Sequence, residues 1–466
     1  NEPQGYGYNF VWARDLYQVF SVFAAVGDDP RAIDQVAYIY EYQQDDDGFI
    51  PQNTYVNGIT RWGGEQMDNI SFPQVMAYQL FERGYDFGDV DYDYVNVRRS
   101  ADYVARHGPE TAQERWEEEA GYSPSSIAAE ISGLACAGKI AAETSHDADA
   151  LVWLALADDW TDRVAEWTAT TTGTERHEHT PYFVRAARDG DPDAGHLRTL
   201  ANAGPTLDER EIIDAGFLDL VRLGITPWDD EVVRNSVTEV DETIRIDLDT
   251  GPAFYRYNGD GYGERDRGDK GAPWSAENFG KGRLWPLLTG ERAEYELHAG
   301  DLDPAALLET MRSFANSGRM LPEQVWDREH GTEYNWEFGE GTGSATPLAW
   351  SMAQFVRLAH GIDAGEPVET PAFVRERYTE GRRHEDDGPS LRVDTRFEGD
   401  RILVSGESDG AVVAVKTGDE TAIVRPTDGD FEVDLPFDRS ANWLAVAAAD
   451  GDSLTDAATT VTRRDF

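Results

Sequence analysis

Arg115-Trp116-Glu117-Glu118-Glu119-Ala120-Gly121-Tyr122 runs directly into an apolar segment of helical period at 124–143. The same arrangement, a long loop rich in Trp, Arg, Glu and Gly followed by a helix, recurs along the chain. Apolar residues return at helical spacing in 14–27, 29–44, 70–84, 94–107, 124–143, 148–168, 207–223, 229–245, 281–299, 303–317 and 346–360. That predicts about eleven helices, punctuated by Gly- and Asp-rich stretches. The stretch near 180–200 reads as irregular or as a small hairpin. Loops entering the first, third, fifth, ninth and eleventh segments are long and chemically rich, whereas links into the even-numbered segments are mostly short. In a ring of antiparallel helices, alternate loops lie at one end. These loops therefore converge on one face, and the expected fold is mainly α: an α/α toroid with its site at one mouth.

From about 388 the period changes to two. Strands are predicted at 391–397, 401–407, 411–417, 420–426, 430–436, 442–448 and 456–463, separated by turns such as Glu398-Gly399-Asp400 and Asp428-Gly429-Asp430. Seven short strands in about 80 residues predict a small Ig-like β-sandwich. The expected organisation is a catalytic domain over 1–368, a charged linker over 369–388 and the sandwich over 389–466.

The 466 residues carry 89 Asp and Glu against 41 Lys and Arg, a formal charge of −48. Only four of the cations are lysines: Lys139, Lys270, Lys281 and Lys416. A field of that sign repels nucleic acid and anionic lipid, and it destabilises the fold unless salt screens it. The composition is that of a soluble protein from a salt-loving organism, either secreted or cytoplasmic. No stretch approaches the 18 or so apolar residues of a membrane span, so no membrane insertion is expected. The single cysteine, Cys136, excludes an intrachain disulfide and lies in an apolar helical run. No signal peptide is visible, and the chain enters a motif almost at once, as a fragment with its upstream part removed would.

Five loops carry the candidate chemistry. Tyr6-Gly7-Tyr8-Asn9-Phe10-Val11-Trp12-Ala13-Arg14-Asp15 places a fork donor beside a bidentate acceptor, suited to vicinal hydroxyls or, equally, to a helix-start ion pair. Trp62 and Asp68 end a 25-residue loop; Trp62 reads as a stacking platform or as an anchor for the loop. Glu117, Glu118 and Glu119 crowd together after Trp116; crowding and burial raise a carboxyl pKa, while a solvated acidic turn is the plainer alternative. Ala253 to Glu264 is rich in Gly, aromatics and acid, a sugar-contact loop more than a calcium loop, because its acids miss EF-hand spacing. Leu321-Pro322-Glu323-Gln324-Val325-Trp326-Asp327 again sets a carboxylate near a tryptophan. Glycosidic hydrolysis needs such a pair: one carboxyl protonated to serve the leaving oxygen, one ionised to activate water or attack carbon. Glu117 and Glu323 lie 206 positions apart, so only the fold can bring them together. His177-Glu178-His179 lacks zinc spacing, and no metal site is expected.

Taken in order, these motifs resemble glycoside hydrolase family 15, the glucoamylases and glucodextranases, in its bacterial and archaeal branch. The resemblance spans about residues 5–360, with Ala13 where the family often has Pro. It implies an (α/α)6 barrel of twelve helices, with the site at the N-terminal ends of the inner ones. It also implies that an upstream β-sandwich and the first barrel helix are missing here. By the same resemblance Glu117 is the general acid and Glu323 the general base. Substrate contacts fall to Tyr8, Trp12, Arg14, Asp15, Trp62, Asp68, Trp116, Glu118, Arg256 and Trp285. The implied activity is an inverting exo-hydrolysis of an α-glucan, without a cofactor. A glucodextranase, a trehalase of the same family and a silent glycan-binding protein are the alternatives. Trp443 alone in the sandwich argues for packing rather than starch binding.

Overall fold

The computed structural model describes residues 9–466 apart from 267, 276–279, 330–331, 382, 384–387 and 439–441. Its helices are α1 (Ala13–Val26), α2 (Asp29–Tyr38, continued by a π-turn to Gln43), α3 (Met67–Glu82), α4 (Tyr94–His107), α5 (Pro124–Glu143) and α6 (Asp147–Thr168). They continue with α7 (Leu218–Arg222), α8 (Glu231–Thr243), α9 (Pro286–Ala299), α10 (Pro304–Ser313), α11 (Ala349–Ala364) and α12 (Ala372–Tyr378). The odd-numbered helices form a closed ring: each packs on the next, and α11 returns to α1. The architecture is the (α/α)6 barrel.

Composition explains which helices are inside. α3 is buried from Met67 through Leu80, and α5 from Pro124 through Gly138. Such helices are mostly apolar or small all round, as a helix with neighbours on every side must be, with Asp68, Asn69, Gln74 and Glu130 buried among them. Their contact is close: a Cβ on Gly133 would lie 2.9 Å from Gln74 Oε1 and 3.0 Å from Ser71 O. Outer helices such as α4 and α8 bury one face only, and Asp93 and Asp230 cap their N-termini through side-chain oxygens.

Two expectations need correction. The segment 207–223 is α-helical only over Leu218–Arg222, with a single 3-10 turn at Glu209–Glu211. Upstream, the carboxylates of Asp208, Glu209 and Asp214 accept backbone N–H groups of Arg210, of His196 and Arg188, and of Gly216. These local bonds replace the helical ladder. The twelfth helix, α12, lies within the stretch read as linker, where seven residues among dense charge give little periodic signal. It packs across the C-terminal ends of α3 and α5: Phe373 N donates to Tyr78, and Lys139 lies over the Phe373 ring.

Short strands decorate the loops: β1 (Phe10–Val11), β2 (Asn53–Tyr55), β3 (Thr60–Trp62), β4 (Ala169–Thr170), β5 (Tyr182–Phe183), β6 (Leu197–Thr199), β7 (Thr206–Asp208), β8 (Arg245–Leu248) and β9 (Gly251–Phe254). The C-terminal part holds β10 (Leu391–Glu398), β11 (Arg401–Ser408), β12 (Val412–Thr417), β13 (Glu420–Val424), β14 (Asp430–Pro436), β15 (Trp443–Ala449) and β16 (Thr459–Asp465). They form two antiparallel sheets, β10-β11-β14 and β13-β12-β15-β16. Val404, Val413, Val433, Leu444 and Val446 fill the space between the sheets. The other face of the four-stranded sheet, with Ala414, Trp443, Ala445 and Ala447, joins the barrel core against α6. Trp443 is therefore a packing residue. The Lys416 ammonium, wholly buried in this seam, pairs with Asp149 at 2.6 Å and Asp102 at 3.0 Å. No described helix is long and apolar enough to cross a membrane.

Candidate active site

The loops entering α1, α3, α5, α7, α9 and α11 meet at one mouth. The loop into α5 is pinned at its base by the Thr111–Gly121 bridge. Inside it Glu114, itself buried, makes the turn. Its carboxylate accepts the Trp116 N–H at 2.8 Å, its carbonyl accepts Glu117 N–H at 2.7 Å, and Arg185 Nη2 donates to it at 2.8 Å. Glu117 is thereby held at φ +69°, a left-handed conformation that costs a non-glycine residue roughly 1–2 kcal/mol. Strain of this kind persists where surrounding structure over-determines it.

The Glu117 carboxylate accepts from Arg14 Nη2 at 2.8 Å and from Gln52 Nε2 at 2.5 Å. Arg14, on the first turn of α1, is buried and tied to the start of α3 through Gln66 at 3.0 Å and Asp68 at 3.4 Å. Asp15 lies 3.5 Å from the same guanidinium. Burial pushes the Asp15 carboxyl up to about 6, with Arg14 opposing the rise, and raises Asp68 in the same way. Trp12 and Trp62 meet edge-on at 6.2 Å, with Phe10 and Arg61 against Trp62. Trp62, on β3, presents 36 % of its surface to solvent.

The three glutamates after Trp116 turn to different partners. Glu118 turns toward Arg185 (2.9 Å), Arg256 (3.0 Å), Asn202 (2.9 Å) and the Tyr257 hydroxyl, and Glu119 pairs with Arg198 at 3.3 Å. Burial alone would raise Glu118, but Arg256 and Arg185 together hold it below the usual carboxylate range. The expected rise holds at Glu119, where burial raises the carboxyl with Glu114 and Glu118 adding to it, whereas around Glu118 two arginines reverse it. Arg256 is fixed by Asp260 at 2.7 Å, with Trp116, Tyr262 and Trp285 around its guanidinium.

Glu323 is buried on the opposite arm, and the Tyr262 hydroxyl donates to it at 3.4 Å. Its loop is a short strand clamped on both sides: Val325 bridges Leu284 on one flank and Gly341 on the other. Glu323 N–H bonds Ala345 O at 2.8 Å. Arg283 closes the far end, pairing with Asp327 at 2.5 Å and stacking 4.2 Å over Trp326.

A continuous belt joins the two arms. Arg14 lies 5.8 Å from the Trp350 ring; Trp350 stacks on Trp116 at 6.0 Å; Trp116 meets Trp285 at 5.4 Å; and Trp285 meets Tyr262 at 6.4 Å, beside Glu323. The Trp116 indole donates to Asp214 at 2.6 Å. Of the residues expected from sequence, the structure gathers Trp12, Arg14, Asp15, Trp62, Asp68, Trp116, Glu117, Glu118, Arg256, Trp285 and Glu323 around this mouth. Tyr8 lies outside the described residues. Gln52, Glu114, Arg185, Asn202, Asp214 and Trp350 were not expected, and Tyr257 and Tyr262 were not singled out within the 253–264 loop. Arg185, Asn202 and Asp214 belong to the long loop before α7, and of these only Asp214 falls in the mistaken 207–223 helix. No cluster of potential metal ligands occurs among the described residues.

A closed ring of six inner helices with a mouth lined by carboxylates, arginines and tryptophans defines the class of (α/α)6 toroids. Within that class the chain belongs to glycosyl hydrolases family 15, whose family model matches residues 1–360. It is 40% identical over 372 residues to a glucoamylase of Clostridium sp. (strain G0005), covering 80% of this chain and 49% of that protein. It is similar to a bacterial glucoamylase solved in complex with acarbose, at 38% identity and a TM-score of 0.72, over 80% of this chain and 52% of that one. The Saccharomycopsis fibuligera glucoamylase, at 15% identity and a TM-score of 0.53 over 77% of this chain and 87% of its own, shares the fold. The chain spans about half the length of the first two relatives.

Proposed function

We propose that this chain carries the catalytic site of an inverting exo-hydrolase that releases β-D-glucose from the non-reducing ends of α-glucans. Family membership supports the reaction class, and the similarity to glucoamylases, one of them bound to acarbose, supports the substrate class. The observation that carries the reading is the pair Glu117 and Glu323 on opposite arms of one aromatic belt.

In this mechanism Glu117 protonates the glycosidic oxygen. Glu323 takes a proton from a water that attacks the anomeric carbon from the opposite face. Inversion needs about 6.5–9.5 Å between the two carboxyls, enough for that water. Arg14 and Gln52 take one position on each Glu117 oxygen, so two of the carboxyl's four positions stay open to carry the proton toward the leaving group. Arg14 and Asp15 then grip hydroxyls of the terminal glucose, Asp68 holds Arg14, and Trp12, Trp62, Trp116 and Trp285 supply stacking surface. Arg256 and Glu118 serve the adjoining sugar.

Proton NMR in the first minutes of hydrolysis of a maltooligosaccharide tests the reading. Fresh β-glucose is expected, and initial α-glucose would overturn the inverting assignment. Absence of release from maltooligosaccharides, isomaltose and trehalose in molar KCl would overturn the hydrolase reading. The salt is part of the proposal: the charge of −48 is an adaptation to a high-salt medium.

A further inference from the structure

We propose that Asn202 occupies the acceptor position that a sugar hydroxyl must use on Glu118, and so sets the affinity of the site for the second glucose unit. The inference rests on the proposed reading of Glu118 as a substrate contact. An ionised carboxylate has about four lone-pair positions. All four on Glu118 are taken: Oε2 by Tyr257 and Arg185, Oε1 by Arg256 and Asn202. A carboxylate in that condition accepts nothing from substrate until one donor leaves.

Three of the donors are fixed. Arg185 is buried, stacks 3.7 Å over Tyr257 and is shared with Glu114. Tyr257 is buried, and its backbone bridges Asp214. Arg256 is buried and bound through two nitrogens to Asp260. Asn202 is the half-buried donor of the four, and it is the neutral one, so its bond is the weakest held. It lies at the tip of the β6–β7 hairpin, with φ +54° followed by Ala203 at +59°. The tip backbone is seated: a Cβ on Gly261 would fall 2.1 Å from Asn202 O, and one on Gly204 2.8 Å from Gly259 O. Freeing Oε1 therefore takes a side-chain rotation, not a movement of the loop. Once it is free, Oε1 lies beside the Arg256 guanidinium, whose Nη1 has no hydrogen-bond partner among the described residues. An acceptor and a donor so placed match two neighbouring hydroxyls of one sugar ring.

Asn202→Gly tests this. Glycine keeps the left-handed backbone without strain and removes the competing amide. The expected result is a KM for maltotriose lowered about 3- to 10-fold with kcat within about two-fold, the scale of one exchanged hydrogen bond to a charged group. Asn202→Ser, too short to reach Glu118, should move KM in the same direction. A merely structural role would raise KM or lower the unfolding midpoint. An unchanged or raised KM in both variants overturns the inference while leaving the hydrolase reading intact. A wild-type protein that hydrolyses no α-glucoside overturns both.

Discussion

Replacing Glu369 by glutamine should leave the protein unchanged in stability at pH 4.5 and stabilise it by about 3 kcal/mol at pH 8. The argument starts from an ion network buried in the barrel below the mouth. Arg115 faces Glu291 at 3.1 Å, Asp219 at 3.7 Å and Asp214 at 3.9 Å. Arg222 joins Asp219 at 2.7 Å to Glu369 at 3.7 Å, and Arg357 joins Glu369 at 3.2 Å to Glu294 at 2.7 Å. Three guanidiniums thus face five carboxylates, an excess that buried groups do not carry without cost. Burial pushes Glu291 and Glu369 up to about 7, with Arg115 and Arg357 respectively opposing the rise. Protonating those two leaves three charges of each sign. A carboxyl raised in the folded state favours folding fully below its unfolded value of about 4.5 and loses that contribution as pH rises to about 7. At about 1.4 kcal/mol per pH unit the loss over that window is about 3 kcal/mol for Glu369. Glutamine mimics the protonated acid at every pH, so the difference between variant and wild type grows across the window and is flat above it. Urea unfolding at fixed molar KCl between pH 4.5 and 8.5 measures it. A variant less stable than wild type at pH 8, or a difference that does not change with pH, would refute the charge count.

Two further outcomes follow from the same coordinates. Glu117→Gln should lose on the order of 10²–10⁴-fold on maltooligosaccharides but far less on a glucosyl fluoride, whose leaving group needs little protonation, whereas Glu323→Gln should lose on both; equal mild losses in steady-state assays would misplace the site. The thermal unfolding midpoint should rise steeply between low and molar KCl as the −48 charge is screened, and a midpoint indifferent to salt would contradict the adaptation.

The helical ring was legible because burial imposes a period, and the period survives in any sequence that keeps the core. Where side chains compete with the backbone the signal failed. Asp208, Glu209 and Asp214 lie in a stretch whose apolar residues recur at helical spacing, yet each spends its oxygens on backbone N–H groups outside any helical ladder. β15 is buried on both faces, so its alternation is lost, and whether Trp443 faces glycan or barrel was decided by a partner, α6, nearly 300 positions away. At the mouth, Trp116, Glu117 and Glu323 announce themselves through local composition. Gln52, Arg185 and Tyr257 do not, because what makes them part of the site is a bond across 65 to 139 positions. Such contacts exist only after the ring has closed.

The two glutamates are held by different physics, and the difference matches the acid and base roles proposed for them. Glu323 belongs to an extended segment hydrogen-bonded on both flanks, from Leu284 and from Gly341, with Arg283 and Asp327 locking its end. A residue that must hold one water in one place gains from a rigid ladder, because a small displacement misaligns the attack. Glu117 is held by one turn at positive φ and by two side-chain donors, Arg14 and Gln52, one on each carboxylate oxygen. The strained turn fixes the backbone, leaving the carboxyl itself to exchange partners. An acid that meets its proton acceptor only after the sugar has entered needs that combination: an immobile main chain and an exchangeable set of hydrogen bonds. Glu118 repeats the pattern next door, with three fixed donors and one replaceable one, which makes the arm that receives the leaving group the adaptable side of the site.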